Sequence, residues 1–148
     1  MVDIMKLTIE LIPRTAWFKN LRNYVKPSEW DSIRKNCYKK AGYRCEICNG
    51  KGNKHPVECH EIWEFSESRI ILKGLIALCP DCHLVKHIGM AHIKGRLEYA
   101  KKHLMVVNNV SSNVADNMIL RAFEQFHERS KYNWELDVGY LQTYIDAL

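Results

Sequence analysis

No run of 18 apolar residues occurs in the 148-residue chain, which argues against a transmembrane helix. Low-complexity tracts and internal repeats are missing, and 15 residues are aromatic, so disorder is not expected. The opening stretch, MVDIMKLTIELIPRT, carries an acid early and no long apolar segment. It does not read as a secretory signal. A reducing, cytoplasmic compartment is therefore expected, and disulfides are a poor explanation for the cysteines. Basic residues vanish at the far end: Tyr132 to Leu148 holds three acids and no Lys or Arg.

Positive charge lies elsewhere. From Arg14 to Lys54 there are 11 Lys/Arg against three Asp/Glu, within a chain of net charge +5. A basic half of this kind suits a polyanion partner. The length suits one domain with short appendages and a real core.

Six cysteines are present, at 37, 45, 48, 59, 79 and 82. Four form two C-x-x-C pairs, Cys45–Cys48 and Cys79–Cys82, with 30 residues between them. Two such knuckles supply four thiolates for a tetrahedral structural zinc. A redox dithiol would need only one pair. Gly42 before the first knuckle and Gly50 and Gly52 after it permit the backbone turns a metal loop needs. Zinc on four thiolates would lower the formal charge by two and form part of the fold's stability. Cys37 and Cys59 have no evident partner and read as small buried hydrophobes.

Along the chain, Lys6 to Ile12 alternates like a short strand stopped by Pro13. Ala16 to Val25 suits a short helix. Ser28 suits the N-cap of the next helix, where Trp30, Ile33, Cys37 and Ala41 recur at helical spacing before Gly42. Pro56 to Trp63 reads as a strand; Arg69 to Ala77 is a second strand or a loop. Helices are expected from near His83, from Ala91 to Met105, from Ser111 or Ser112 to about Lys131, and over Tyr140 to Ala147. The expected class is α+β. Residues 1–27 form an N-terminal strand/helix extension, 28–90 a central zinc-stapled module, and 91–148 a helical extension packed on it.

Three of the seven histidines stand out. His83 follows Cys82, and His87 lies four residues on, so both share one helix face. His60 sits in the strand between the knuckles. The three can converge on a second ion; the rival reading is a polar helix face with unrelated histidines. The segments Cys45-x-x-Cys48, Glu58-Cys59-His60-Glu61-Ile62 and Leu78-Cys79-Pro80-Asp81-Cys82-His83-x-x-Lys86-His87 together resemble the HNH family of ββα-metal nucleases. The likeness covers residues 42–88. It implies two strands and a helix around one divalent ion, with His60 as the strand ligand and His83 and His87 as the helix ligands. It departs at two positions. Glu61 stands where the family has its general-base histidine, and Gly74 where it has the asparagine that orients that base.

A glutamate is ionised at neutral pH but is a weaker base than imidazole. Placed-base catalysis is worth roughly 10²–10⁴ in rate, so a poorer base slows hydrolysis without abolishing it. Glu61 is the candidate by alignment. Glu58 is its geometric rival, because alternate strand residues share a face with His60. His55 is an outside candidate for the missing imidazole. Arg34, Lys35, Lys39, Lys40 and Arg44, extended by Lys51, Lys54 and Lys86, form the expected phosphate-binding surface, with Lys94, Arg96, Lys101 and Lys102 downstream. Trp17, Phe18, Trp30 and Trp63 read as core. The expected function is metal-dependent hydrolysis of DNA phosphodiester bonds, with a structural zinc and a catalytic Zn²⁺, Ni²⁺, Mn²⁺ or Mg²⁺. The alternative is a degenerate scaffold that binds nucleic acid or a protein without cleaving.

Overall fold

Two segments rich in β-branched and aromatic residues pair first in sequence and lie at the centre in space. The computed structural model describes residues 5–17 and 23–146. Strand β1 (Glu58–Ser66) runs antiparallel to β2 (Arg69–Leu78), with Glu58 opposite Leu78, His60 opposite Ile76 and Ser66 opposite Arg69. Glu67, at φ 53°, makes the tight turn. The register slips once, between Ile62 (opposite Gly74) and Trp63 (opposite Leu72). A short β3 (Glu135–Asp137) adds in parallel to the start of β2, giving the order β1-β2-β3.

Six α-helices surround this sheet among the described residues: α1 (Pro27–Lys40), α2 (Pro80–Lys86), α3 (Ile88–Ile93), α4 (Leu97–Asn108), α5 (Ser112–Arg129) and α6 (Gly139–Asp146). The fold is mixed α+β. None of these helices is long and apolar enough to cross a membrane.

Helix α1 starts one residue before the expected cap. Pro27 takes the first helical position, where its fixed φ costs nothing, and Glu29 accepts a hydrogen bond from the Lys26 backbone at 2.9 Å. Its buried residues Ile33 and Cys37 pack toward the hairpin, Ile33 with Leu72 and Leu141 of α6. The main core joins Leu7, Leu78, Val85, Ile88, Leu104, Ala115 and the cysteines of the knuckles. Ser111 caps α5, accepting from the Val114 backbone at 3.3 Å.

Several expectations need correction. Lys6 to Ile12 forms no strand. Its alternation is real, since Leu7 and Ile9 are buried, but the backbone of Leu7 is satisfied by the Asn108 amide at 2.9 and 2.8 Å rather than by a ladder. The helix expected over Ala91–Met105 is two helices, broken at Gly95 with φ 71°. Helix α2 begins at Pro80, three residues before His83, because Cys79 is its N-cap. Of the expected helix over Ala16–Val25, a 3-10 turn at Arg14–Ala16 is seen; residues 18–22, Phe18 included, lie outside the described residues. Trp17 is mostly exposed and stacks on Phe126 at 5.9 Å, rather than joining the core.

Candidate metal centres

Hairpin and helix α2 bring two separate sets of ligands together. In the first, one sulfur from each of Cys45, Cys48, Cys79 and Cys82 lies within 4.8 Å of the others. Three are buried: Cys45, Cys79 and Cys82. Backbone N–H groups serve the sulfurs: Cys48 donates to Cys45 Sγ at 3.5 Å, Gly50 to Cys48 Sγ at 3.4 Å, and Cys82 to Cys79 Sγ at 3.4 Å. His103 of α4 brings Nε2 to 3.1 Å from Cys82 Sγ.

A hydrogen bond from Cys82 pulls Cys45 down to about 4. The same contact, with burial, pushes Cys82 up, and burial pushes Cys79 up to about 11. Four thiolates at this spacing need a cation, and soft sulfur donors in a closed buried set fit structural zinc.

The second set is His60, His83 and His87, with one ring nitrogen of each within 4.8 Å of the others. His60 stands on the β1 face that meets α2, while His83 and His87 are one helical turn apart. Ring centroids are 4.6–5.3 Å apart, and the Nε2 atoms of His83 and His87 are at 3.0 Å. His60 is 9% exposed, and its Nδ1 has no hydrogen-bond partner among the described residues. A buried ring nitrogen without a partner is costly in a native fold; a bound ion would satisfy it. Burial, reinforced by His83, His87 and Lys86, pushes His60 down to about 3. Burial by the pocket, then His83, lowers His87 to about 4, although the residue as a whole is exposed. Both are thus neutral, as ligands must be.

Glu58 is committed to this site in a specific way. One carboxylate oxygen bonds His83 Nδ1, and the other takes His55 Nε2 at 2.7 Å. Burial pushes Glu58 up, but the hydrogen bonds from His55 and His83 outweigh it and hold the carboxyl below its usual range. With Nδ1 on Glu58, His83 brings its Nε2 to 3.0 Å from His87 Nε2. His55, the outside candidate for the missing imidazole, reaches the site only through Glu58.

The trio stands between two openings. His60, Glu61 and His87 line a cavity of about 1070 Å³ walled by apolar side chains such as Trp63, Met90 and Phe123. His83 and Glu58 line a smaller cleft of about 500 Å³ with Trp30, Arg34 and Tyr38. Gly74, where the resemblance expects an orienting asparagine, is buried; a Cβ there would meet Ile62 at 3.8 Å and the Tyr140 hydroxyl at 4.0 Å.

Among the basic residues, Lys35, Lys39, Lys40, Arg44, Lys51 and Lys54 are exposed. Arg34 is held by Asp31 at 2.9 Å. Lys86 is not part of that surface: it is turned inward, bonding Glu10 at 2.9 Å and Thr8 at 3.2 Å. Glu10 lies 76 positions away in sequence, beyond the reach of local pattern. His103 was missed for the same reason, since only the packing of α4 on α2 brings it to Cys82. The chain matches no protein-family model, no curated protein and no solved structure.

Proposed function

We propose that this protein is an HNH-like, ββα-metal endonuclease that hydrolyses DNA phosphodiester bonds, built on a four-cysteine zinc scaffold. The observation that carries this reading is the convergence of three imidazoles from the facing strand and helix beside the sulfur cluster. His60, His83 and His87 would hold the catalytic ion. When bound, such an ion polarises a phosphate oxygen and offsets charge on the departing oxygen.

The chain's own residues divide the remaining work. Glu58 fixes the orientation and tautomer of His83, as a carboxylate behind a metal-binding histidine does. Glu61, which lines a cavity with His60 and His87, is the candidate acceptor for the proton of the attacking water. The exposed lysines and arginine of α1 and the first knuckle hold phosphates without reading sequence. One observation favours a binding module without cleavage: at Gly74 there is no side chain to orient a base.

The test is cleavage of supercoiled plasmid by the zinc-loaded protein with Mn²⁺, Ni²⁺, Zn²⁺ or Mg²⁺. Nicking that is lost in His83→Ala, with melting temperature retained, supports the nuclease. Tight binding with no nicking under any ion supports the module instead.

A further inference from the structure

Helix α1 carries a stripe of side chains that neither set of metal ligands uses. Trp30, Arg34 and Tyr38 are spaced at i, i+4 and i+8, so they share one helix face, and all three line the smaller cleft with Glu58 and His83. Each is half-buried. The two rings are anchored from behind: Trp30 packs on Ile33, Leu72 and Leu141, and Tyr38 on Cys37, Val57 and Ala77. Asp31 holds Arg34 Nε at 2.9 Å, which fixes a guanidinium one helical turn from each ring. The charge of the cleft selects its occupant. Asp31 and Glu58 set two carboxylates against that one guanidinium, so the cleft disfavours a phosphate and accepts a neutral planar group. Phosphates are served outside it by exposed Lys35 and Lys39, which directly follow Arg34 and Tyr38. A volume of about 500 Å³ lies in the range of small-ligand sites and holds a nucleobase, not a double helix. The larger cavity is walled mainly by apolar side chains, and its Lys86 is bonded to Glu10, so it offers a polyanion little hold.

We propose that this cleft binds an unpaired nucleobase of a DNA strand, stacked on the Trp30 and Tyr38 rings beside the Arg34 guanidinium. Stacking on aromatic rings accepts any base, because every base has a π-face, so no sequence preference is expected. A base inside a duplex is withheld from the cleft until it is unpaired and unstacked, and that cost is least where the strand is already single or mismatched. His83 joins the cleft to the imidazole trio, since it belongs to both. On the nuclease reading, on which this last step rests, a strand with its phosphate at the trio places a neighbouring nucleoside at the cleft. The substrate is then single-stranded or locally opened DNA.

The test is binding of zinc-loaded full-length protein to a fluorescein-labelled thymidine oligonucleotide and to a labelled duplex of equal length. Anisotropy is read over a range of salt, with no further divalent ion added. Tyr38→Leu and Trp30→Leu are each expected to weaken single-strand binding by about 5–150-fold. The slope of log K against log salt should stay unchanged, because no phosphate contact is lost, and duplex binding should stay within about twofold. Tyr38→Phe and Trp30→Phe keep a ring and should restore the single-strand affinity. Melting temperatures check that the variants fold; should Trp30→Leu fail, Tyr38→Leu decides alone. Folded variants that bind the single strand as the wild type does, or that weaken single strand and duplex equally, overturn the proposal. Ring-dependent binding of the single strand without nicking under any ion would sink the nuclease reading and leave the stacking site standing. Nicking with ring-independent binding would do the reverse.

Discussion

Replacing Cys82 with serine removes one sulfur from a site that the core is built around. Cys82 is fully buried, and Cys45 and Cys79 beside it belong to the same cluster as Leu78, Val85 and Leu104. Structural zinc contributes on the order of 10–16 kcal/mol of binding free energy at neutral pH. Whole domains are stable by only about 5–15 kcal/mol. Losing a ligand therefore threatens the entire margin. With about 2–4 °C of melting temperature per kcal/mol in a chain of this size, a loss of even 5 kcal/mol lowers the midpoint by about 10–20 °C. Circular dichroism melts and zinc content per chain, measured together, give the test. Cys37→Ser is the control, a buried cysteine with no metal role whose loss costs about 0.5–3 kcal/mol. A Cys82→Ser protein that melts with the wild type and keeps its zinc would refute the structural assignment.

Three further outcomes follow from the second site and the charged surface. Glu58→Gln is expected to weaken the binding of a divalent ion at the imidazole trio by about 10–100-fold while leaving the sulfur-bound zinc in place, read by calorimetry. Lys35→Ala and Lys39→Ala should each reduce the slope of log K against log salt for duplex DNA by about 0.9, with no change in sequence preference. His60 gives an acid signature. Its folded-state pKa, about 3, lies below the unfolded value near 6.5, so its stabilising effect is complete above pH 6.5 and is lost as pH falls toward 3. Between pH 6.5 and 5 the wild type should lose about 2 kcal/mol more than His60→Gln, measured by urea titration without added divalent ion; equal losses would contradict the buried, neutral state of His60.

What the residues disclosed in advance was mostly local. The knuckles, the i, i+4 pair His83 and His87, and the alternation around His60 each sit within a few positions, and their geometry follows from strand and helix periodicity. The rest depended on distant partners. Strand β3 is three residues long and meets β2 in parallel, with residues 79–134 between the two strands, so no hairpin signal marks it. Leu7 and Ile9 alternate as a strand would, yet among the described residues no strand pairs with them. Lys86 carries charge suited to phosphate, but Glu10 neutralises it from the N-terminal segment. The bond between Glu58 and His83 is tertiary too, spanning 25 positions, so no local pattern marked it.

The two candidate metal sites are mechanically unequal, and the reason is helix α2. Cys79 caps it, Cys82 lies in its first turn, and His83 is the next residue, with His87 just past its end. Fixing the sulfurs therefore fixes the direction in which both helix imidazoles leave the backbone. His60 and Glu58 depend on the same clamp, because the first knuckle docks on β2 through the Ala77 backbone, whose N–H donates to the Glu46 carboxylate at 2.7 Å while its carbonyl accepts from Glu46 N at 2.9 Å. The converse does not hold. No sulfur contacts an imidazole of the trio among the described hydrogen bonds, and the main core packs around the sulfurs, not the rings. An ion held at the trio would accordingly leave a folded protein, whereas loss of a zinc held by the sulfurs would scatter the trio. A mild chelator that strips the weaker site should leave the melting temperature high. A strong one that strips both should remove helical structure and the second site together. Independent loss of the sulfur-bound zinc, with the imidazole site still loaded, would separate the two centres and break this hierarchy.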